Sequence, residues 1–351
     1  MKIAYVLSSL DNLGPFIVAQ TLAQRLKNKV AKIDVFYIDD KVSLVFEVDT
    51  KKVSLFSRNI NFDKYDICHS HGLKADLFIY LHRHCIQGKC VTTLHQYNGE
   101  QLKYYYSNIV VAKIVEVLWK MILSRHDLVI ALSKHMKSYY NQNFNNKILT
   151  DFVYNGRDII ENHFEIPESE RNTLQNIYER FTVIGSVSHI VKRKGIDQLI
   201  RVLKKDESLF LLVVGDGAER ENLINLAKEL NVNQRCMFLG YKKHCLAYYK
   251  YFHIYGMTSH AEGFPLVLIE AAAMKVPAIC SDIEMFHELF TENEVSYFKI
   301  NDIDSLYDSV QKIRNNPITY INSFHRKYKN NFTAAKMAEG YLNIYNRLIN
   351  N

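Results

Sequence analysis

The sequence has no run that reaches the roughly 18 uninterrupted apolar residues of a membrane-spanning helix. Its first residues, MKIAYVLSSL, form an apolar stretch that is too short for a signal peptide and lacks a small-residue cleavage site. The stretch is instead typical of a buried first strand. We therefore expect a cytoplasmic location.

The sequence lacks the cysteine patterns that are typical of metal sites and of disulfide-bonded proteins. None of the six cysteines belongs to a CxxC pair, and a cytoplasmic chain of this size needs no disulfides, so we expect free thiols. The nearest pattern to a metal site joins HSH (residues 69–71) to HRHC (residues 82–85). We expect the HxH spacing to point its two rings to opposite sides of a strand. This disfavours a shared ion, and we predict no metal site.

Internal repeats and low-complexity segments are also absent. The apolar fraction of 48% and the charged fraction of 23% are typical of a soluble globular protein, and 351 residues suffice for two domains. The net charge of +7 is unevenly placed: residues 1–157 contain 21 Lys and Arg against 13 Asp and Glu, and the remainder contains 23 against 24. A basic half suits nucleic acid, anionic lipid or a phosphorylated substrate, but also a merely soluble surface.

Short apolar runs alternate with helical patterns, which indicates parallel sheets covered by helices on both faces. The sequence therefore predicts an α/β protein with two doubly wound domains. Ten strands are predicted, over residues 2–9, 32–39, 66–71, 90–95, 127–133, 181–188, 209–217, 236–241, 254–259 and 277–282. The polar stretch 154–172 indicates a domain boundary near residue 160. Residues 332–349 have one apolar helical face, so this helix must pack on something.

The stretch HAEGFPLVLIE sets Glu262 and Glu270 eight positions apart. Pro265 favours the first turn of a helix, which we predict from Pro265 to Lys275. A charge near the helix N-terminus would account for Glu262, but that effect fades before Glu270. Because Glu270 has almost only apolar neighbours, its carboxylate needs hydrogen-bond donors. A ligand with vicinal hydroxyls or an internal Arg or Lys would supply them.

Two strand-to-helix turns in the same half favour an anionic ligand. The run KRK (residues 192–194) precedes a helix, and cations beside free backbone N–H groups can bind an anion, although a solvated surface is the alternative. Gly215 and Gly217 lie at the second turn, where absent side chains permit close ligand approach. This GxG lacks the third glycine of a dinucleotide-binding turn, which disfavours NAD.

The N-terminal half offers similar positions. Gly14 and Pro15 enter a helix after the first strand, where a phosphate contact and an ordinary tight turn fit equally well. His71 and His95 each lie at the carboxyl end of a parallel strand, the edge at which open sheets bind ligands. Two histidines facing one crevice favour a site more than a single one would.

Taken in order, these segments resemble the GT-B glycosyltransferases of family 4. The resemblance covers nearly the whole chain, through DICHSHG, VTTLH, DLVIALSKHMK, VYNGRD, VKRKGID, LLVVGDGAERENL, MFLGY, SHAEGFPLVLIEAAAMKVPAICSD and FTAAKMAEGYLNIYN. It implies GT-B architecture, with two Rossmann-like domains facing across a cleft and a C-terminal helix that crosses back to the N-terminal domain. Residues 1–160 would bind the acceptor, residues 161–330 the nucleotide-sugar, and residues 331–351 would form the returning helix.

The resemblance also implies roles for individual residues. Glu262 matches the acid beside the transferred sugar, His71 the histidine near the anomeric centre, and Lys194 the lysine on the diphosphate. Glu270 matches the acid that holds the ribose hydroxyls. The remaining donor-binding positions are Gly14, Arg193, Gly215, Leu239, Tyr241, Gly263, Phe264, Pro265 and Leu266. The backbone N–H groups from Gly263 to Leu266 would meet the donor sugar and the phosphates as free donors at a helix N-terminus. The family usually has an arginine in place of His189, so either Arg193 or Lys192 takes over its diphosphate contact or the phosphate affinity is lower.

By this resemblance the protein is a retaining, metal-independent glycosyltransferase that needs no cofactor. It would move a hexose or N-acetylhexosamine from a UDP-sugar to a lipid-linked saccharide in bacterial O-antigen, lipopolysaccharide or capsule synthesis. Residues 101–125 are apolar with basic flanks, which predicts either a core helix or peripheral contact with the inner face of the cytoplasmic membrane. Nucleic acid is not expected as a partner.

Three alternatives stay open at this point. A sugar-nucleotide epimerase of the same fold would turn over a UDP-sugar without an acceptor. A nucleic-acid-binding protein would account for the basic half but would leave Glu262 and Glu270 unexplained. A catalytically dead scaffold would bind UDP and transfer nothing.

Overall fold

A computed structural model describes residues 1–57, 60–97, 109–159 and 166–350. The chain divides into two compact units: unit 1 is Met1–Arg157 with Phe332–Asn351, and unit 2 is Asp158–Asn331. Residue 160, where the sequence places the domain boundary, lies outside the described residues, as do residues 101–108 of the predicted apolar segment.

Unit 1 is built on a parallel sheet. In the described ranges its seven strands have the order β3-β2-β1-β4-β5-β6-β7. The strands are β1 (Lys2–Leu7), β2 (Lys32–Tyr37), β3 (Asp49–Lys52), β4 (Ile67–His71), β5 (Lys89–Thr93), β6 (Leu128–Ala131) and β7 (Thr150–Phe152).

Unit 2 repeats this design with six parallel strands among its described residues, in the order β10-β9-β8-β11-β12-β13. The strands are β8 (Thr182–Val187), β9 (Leu209–Val214), β10 (Cys236–Phe238), β11 (Ile254–Met257), β12 (Ala278–Ser281) and β13 (Ser296–Phe298). All six residues of β9 are buried, as expected of a parallel strand covered by helices on both faces.

Helices connect the strands in both units. The α-helices of the described residues are α1 (Gly14–Leu26), α2 (Leu73–His82), α3 (Ile109–Leu123), α4 (Lys134–Asn143), α5 (Glu168–Arg180), α6 (Ile196–Val202), α7 (Arg220–Glu229), α8 (Leu266–Ala273), α9 (Glu284–Leu289), α10 (Ile303–Asn315), α11 (Pro317–Asn331) and α12 (Ala334–Asn350). The last of them, α12, returns to unit 1, where it packs beside α1 and buries its apolar face. This confirms that the terminal helix packs on other parts of the chain.

The ten predicted strands are all present, although most end one to three residues earlier than predicted. The helix predicted from Pro265 to Lys275 is shorter, because α8 begins at Leu266 and ends at Ala273. Pro265 precedes the helix as its cap residue, and Lys275 has a φ of 58°, which no helix accommodates. Three short strands, β3, β7 and β13, escape the sequence prediction.

Candidate functional site

Both sheets reverse their strand order beside the first strand of the unit. In unit 1 the reversal lies between β1 and β4, and in unit 2 it lies between β8 and β11. Open parallel sheets bind ligands beyond the carboxyl ends of the strands at such a reversal. The loops that follow these four strands are therefore where functional side chains are expected, and each unit has its own candidate group.

In unit 2, Glu262 is the centre of a charged cluster in the loop after β11. Its carboxylate is only 7% exposed, and Oε1 accepts hydrogen bonds from Lys194 Nζ and Ser259 Oγ, each at 2.6 Å. Arg193 Nη1 lies 3.3 Å from Oε2. Burial alone would raise the pKa of Glu262, but the charges of Lys194 and Arg193 and the hydrogen bonds from Lys194 and Ser259 outweigh it and hold that pKa below its usual value.

The backbone explains why these residues meet. The loops after the neighbouring strands β8 and β11 are joined by two hydrogen bonds, from Thr258 Oγ1 to the Lys194 carbonyl (3.0 Å) and from His260 N–H to the Arg193 carbonyl (2.9 Å). Gly195 follows with a φ of 59°, and a Cβ there would lie 2.4 Å from the Thr258 carbonyl oxygen. Only glycine fits so close a crossing, so Gly195 helps to hold both cations next to Glu262.

Glu270 lies inside α8 and is 2% exposed. The sequence left its partner open between a ligand hydroxyl and an internal Arg or Lys. The structure adds a third kind of donor, since the hydroxyl of Tyr249 lies 3.1 Å from Glu270 Oε2 and also 3.1 Å from the Val267 carbonyl oxygen. A phenol has one proton to donate, so these two acceptors share it. Burial, reinforced by the charge of Glu270, raises the pKa of Tyr249 well above its usual value.

The glycine turn after β9 is closed by the chain's own backbone. Gly215 has a φ of 138°, and a Cβ there would lie 1.9 Å from the Ser188 carbonyl oxygen. Gly217 meets the Ile190 carbonyl in the same way, at 2.3 Å. The missing side chains at both positions therefore make room for the chain's own backbone carbonyls, and close approach of a ligand at these glycines stays a prediction. Gly215 N–H also donates to the Gly240 carbonyl at 2.9 Å.

The other residues of the predicted donor site lie nearby in unit 2. Leu239 follows β10 and donates its N–H to the Val213 carbonyl, whereas Tyr241 is 69% exposed. His189, at the family's arginine position, is also exposed.

The segment before α8 departs from expectation at one position. Gly263 and Pro265 are buried, and Phe264 is half-buried. Leu266 N–H, predicted to be a free donor at the helix N-terminus, instead donates to the Phe264 carbonyl at 3.1 Å. A bond to the second preceding residue is possible here because the chain turns sharply before the helix begins.

In unit 1, the buried His69 and His71 and the half-buried His95 form a group beside β4. The rings of His69 and His71 are 4.4 Å apart. The prediction that they point to opposite sides of the strand is therefore wrong, since residues two apart in a strand lie on the same face. His71 Nδ1 pairs with His95 Nε2 at 2.9 Å. Despite this clustering, no group of three or more His, Cys, Asp or Glu in the described part of the chain is arranged to hold a metal ion.

The environment of these rings keeps them neutral. Burial, together with the neighbouring histidines, holds the pKa of His69 and of His71 well below the usual value, and burial lowers the pKa of His95 to about 3. His69 Nδ1 pairs with the Tyr345 hydroxyl at 2.5 Å, and its Nε2 pairs with Thr93 Oγ1 at 2.8 Å. His71 Nε2, in contrast, is buried without a hydrogen-bond partner among the described residues.

The structure thus brings the predicted residues together within each unit. Glu262, Lys194 and Arg193 touch directly in unit 2, and His71 touches His95 in unit 1. Gly14, at the start of α1, follows the strand next to that of His71. Sequence reasoning missed Ser259, Tyr249 and Tyr345, because single hydroxyl residues in apolar surroundings carry no pattern of their own.

Comparison with known sequences gives a consistent picture. A family model described as "Glycosyl transferases group 1" matches residues 169–333. The chain is 32% identical to the O-antigen biosynthesis glycosyltransferase WclY of Escherichia coli, over 99% of each chain.

Solved structures agree. A crystal structure of Anabaena HepE in complex with UDP and glucose superposes with a TM-score of 0.79 at 18% identity, over 98% of this chain and 99% of that one. The lipopolysaccharide outer core galactosyltransferase WaaB superposes with a TM-score of 0.73 at 16% identity, over 99% and 100%. At these identities the likeness establishes the fold alone, and it confirms the two Rossmann-like α/β domains expected from the resemblance to GT-B enzymes.

Proposed function

The chain belongs to the group 1 glycosyl transferases, and on this premise we propose that it transfers a hexose or an N-acetylhexosamine from a UDP-sugar to a lipid-linked saccharide. The process it serves is O-antigen, lipopolysaccharide or capsule synthesis. The full-length similarity to WclY, named for O-antigen biosynthesis, supports the process, and the HepE structure with UDP and glucose supports the donor class.

One observation of the structure carries the proposal. Lys194 and Arg193 are held side by side at the strand-order reversal of unit 2, where an open sheet binds its ligand. Two adjacent cations suit the paired negative charges of a diphosphate. Glu270 lies buried in the adjoining helix with a carboxylate that can accept hydrogen bonds from the vicinal hydroxyls of a ribose.

The proposed reaction is a displacement on one face of the sugar, with retention of configuration. The bond from the anomeric carbon to the diphosphate oxygen breaks, the acceptor oxygen bonds to that carbon from the same face, and the acceptor proton passes to the departing phosphate oxygen. Lys194 and Arg193 stabilise the charge that grows on the leaving group, each contact contributing about 2.7–4 kcal/mol if it resembles one oxyanion-hole donor. These cations supply the positive charge that a metal ion would otherwise provide, so we propose a metal-independent reaction.

A donor screen tests this proposal. Thermal unfolding is followed with UDP-, GDP- and ADP-sugars in turn, and a UDP-sugar is expected to raise the midpoint most, since a ligand that binds only the folded state stabilises it. The best donor is then incubated with and without lipid-linked saccharide. Transfer that requires the acceptor supports the proposal, whereas a new UDP-sugar formed without acceptor identifies an epimerase. Binding without either reaction identifies an inactive scaffold.

The acceptor side of the proposal includes contact with an anionic membrane through α3. Trp119 anchors the helix, because its Nε1 donates to the buried carboxylate of Asp76 at 2.9 Å. The opposite face is exposed and apolar, through Ile109, Val110, Val111, Ile114, Val117, Leu118 and Met121. Part of this face lines a groove of about 830 Å³ with Tyr139 and Asn143. Only one face of the helix is thus buried in the protein core. Its other face is apolar and exposed, and it suits the apolar layer beneath lipid headgroups.

Among the described residues no helix has the length and apolar character needed to cross a membrane. We propose a peripheral contact, and sedimentation with vesicles tests it. Val117→Asp should reduce binding to vesicles containing phosphatidylglycerol, and Ile318→Asp, at an exposed position of unit 2, is the matched control. Equal binding by all three proteins would contradict the membrane contact.

A further inference from the structure

His71 is held in place by its neighbours yet keeps one nitrogen without a partner. Its side chain is fully buried, with the His69 ring 4.4 Å away and the Tyr5 ring 6.0 Å away. Nδ1 is bonded to His95 at 2.9 Å, whereas Nε2 has no partner in the described part of the chain. Buried polar atoms are nearly always hydrogen-bonded. A buried nitrogen without a partner at a candidate site therefore indicates that a ligand group forms the missing hydrogen bond.

His69 cannot serve as that partner, because both of its ring nitrogens are already engaged. Tyr345 of α12 holds Nδ1, and Thr93 at the end of β5 holds Nε2. Thr93 itself pairs with Tyr341 of the same helix at 3.0 Å. The C-terminal helix therefore holds the His69 ring in place, and the ring of His71 packs against it.

The hydrogen bond with His95 restrains the ring orientation and the tautomer of His71. His95 follows β5, the strand beside β4, and reaches back over the strand end to His71. His71 is fully buried and His95 half-buried, and the lowered pKa of each keeps both imidazoles neutral, so only one proton lies between His71 Nδ1 and His95 Nε2. The bond therefore couples the tautomer of His71 to that of His95, and the position of the shared proton decides whether His71 Nε2 donates or accepts.

We propose that His95 is a positioning residue, which fixes the ring plane and the tautomer of His71 so that His71 Nε2 binds a sugar hydroxyl during transfer. A hydroxyl both donates and accepts, so it completes Nε2 in either tautomer. This inference rests on the proposed function. The hydroxyl belongs either to the donor sugar or to the acceptor saccharide.

A spectroscopic experiment tests the positioning without any substrate. In protein labelled with ¹⁵N-histidine, the signals of His71 are identified by their loss in His71→Gln. The wild-type protein should show one protonated and one unprotonated ring nitrogen for His71. In His95→Leu the two ¹⁵N shifts should move towards each other as the tautomers interchange, and in His95→Gln, whose amide can keep the bond, they should stay apart. Unchanged His71 shifts in His95→Leu would overturn the proposal.

The second arm measures transfer with the UDP-sugar and acceptor found in the donor screen. His95→Leu should lower kcat by about tenfold, the scale of one hydrogen bond, with little change in the donor KM. His95→Gln should recover most of that loss, and His84→Gln, at an exposed histidine of the same unit, should behave as wild type. A KM effect without a kcat effect, or equal loss in both His95 variants, would indicate a merely structural role and overturn the proposal.

Hydrolysis of the donor without acceptor identifies the source of the hydroxyl. If the donor sugar provides it, His95→Leu slows hydrolysis and transfer alike, and if the acceptor provides it, only transfer slows. Should the wild-type protein turn over no UDP-sugar at all, the proposed function fails, while the ¹⁵N experiment still decides whether His95 positions His71.

Discussion

Lys194 Nζ lies 2.6 Å from Glu262 Oε1, so the lysine expected to bind a diphosphate is paired with the acid expected to lie beside the sugar. Arg193 approaches the other carboxylate oxygen at 3.3 Å. One buried carboxylate thus offsets part of the charge of two cations. Phosphate oxygens that approach this site compete with Glu262 for the same N–H donors.

Glu262→Gln should therefore tighten the binding of pyrophosphate and of UDP while it slows sugar transfer. Glu262→Gln removes the negative charge that competes with the phosphates for Lys194 and Arg193, and a gain of about threefold to tenfold corresponds to about 0.7–1.4 kcal/mol. Isothermal titration measures both ligands. Asp197→Asn, at a more exposed acid in the helix after the same turn, is the control for a general charge effect. Weaker pyrophosphate binding by Glu262→Gln would contradict the competition.

Lys194→Ala should reduce turnover far more than it reduces stability. The lost contact to the leaving group should lower kcat by roughly 100- to 1,000-fold, as removal of one oxyanion-hole donor does. The fold tolerates the change because Glu262 keeps Arg193 and Ser259 as partners. Steady-state kinetics beside a thermal melt measure both effects, with Lys204→Ala as the control, since that lysine is exposed in unit 2 and has no predicted role at the site. Normal turnover in Lys194→Ala would remove the residue from the phosphate site.

Glu270→Ala should weaken UDP binding by at least about tenfold, because a carboxylate that holds two ribose hydroxyls contributes more than 1.4 kcal/mol. Tyr249→Phe should have a smaller effect, since it removes a neighbouring donor to Glu270 and leaves the carboxylate in place. Titration with UDP compares the two variants. Glu229→Ala, which replaces an exposed acid of unit 2, is the control. Unchanged affinity in Glu270→Ala would exclude the ribose assignment.

The framework of both sheets can be predicted from the sequence because buried parallel strands are apolar throughout. The run LFLLVV of β9 is an example, with every residue buried. In contrast, β3 consists of Asp49–Lys52, with the sequence DTKK and every residue exposed. Such an edge strand is defined only by its pairing with β2, which no local pattern encodes.

The candidate site shows the same limit. The types of residue in the KRK run and the two acids can be read locally, but the contact of Lys194 with Glu262 joins residues 68 positions apart. It depends on β8 and β11 being neighbours, which is a property of topology. The orientation of His69 and His71 could have been predicted, since alternation along a strand puts them on one face. The partner of His69 on α12, Tyr345, could not be predicted, because the two residues are 276 positions apart in the sequence.

The buried histidines should make unit 1 lose stability on mild acidification. Burial holds the pKa of His69, His71 and His95 below the usual value, so the folded state stays unprotonated while the unfolded chain takes up protons near pH 6.5. A depressed pKa stabilises the folded state above the unfolded pKa, and this contribution is lost as the pH falls, by up to about 1.4 kcal/mol per pH unit for each histidine.

The midpoint of thermal unfolding should accordingly fall between pH 7 and pH 5, and it should fall less steeply in His95→Gln, which has one such group fewer. His126 and His253, whose pKa values burial also lowers, keep part of the slope in the variant. The lowered pKa of Glu262 acts only at more acidic pH, so it does not enter this range. His84→Gln, at an exposed position, should retain the wild-type slope. Equal slopes in wild type and His95→Gln would show that His95 is protonated in the folded protein or is not buried there.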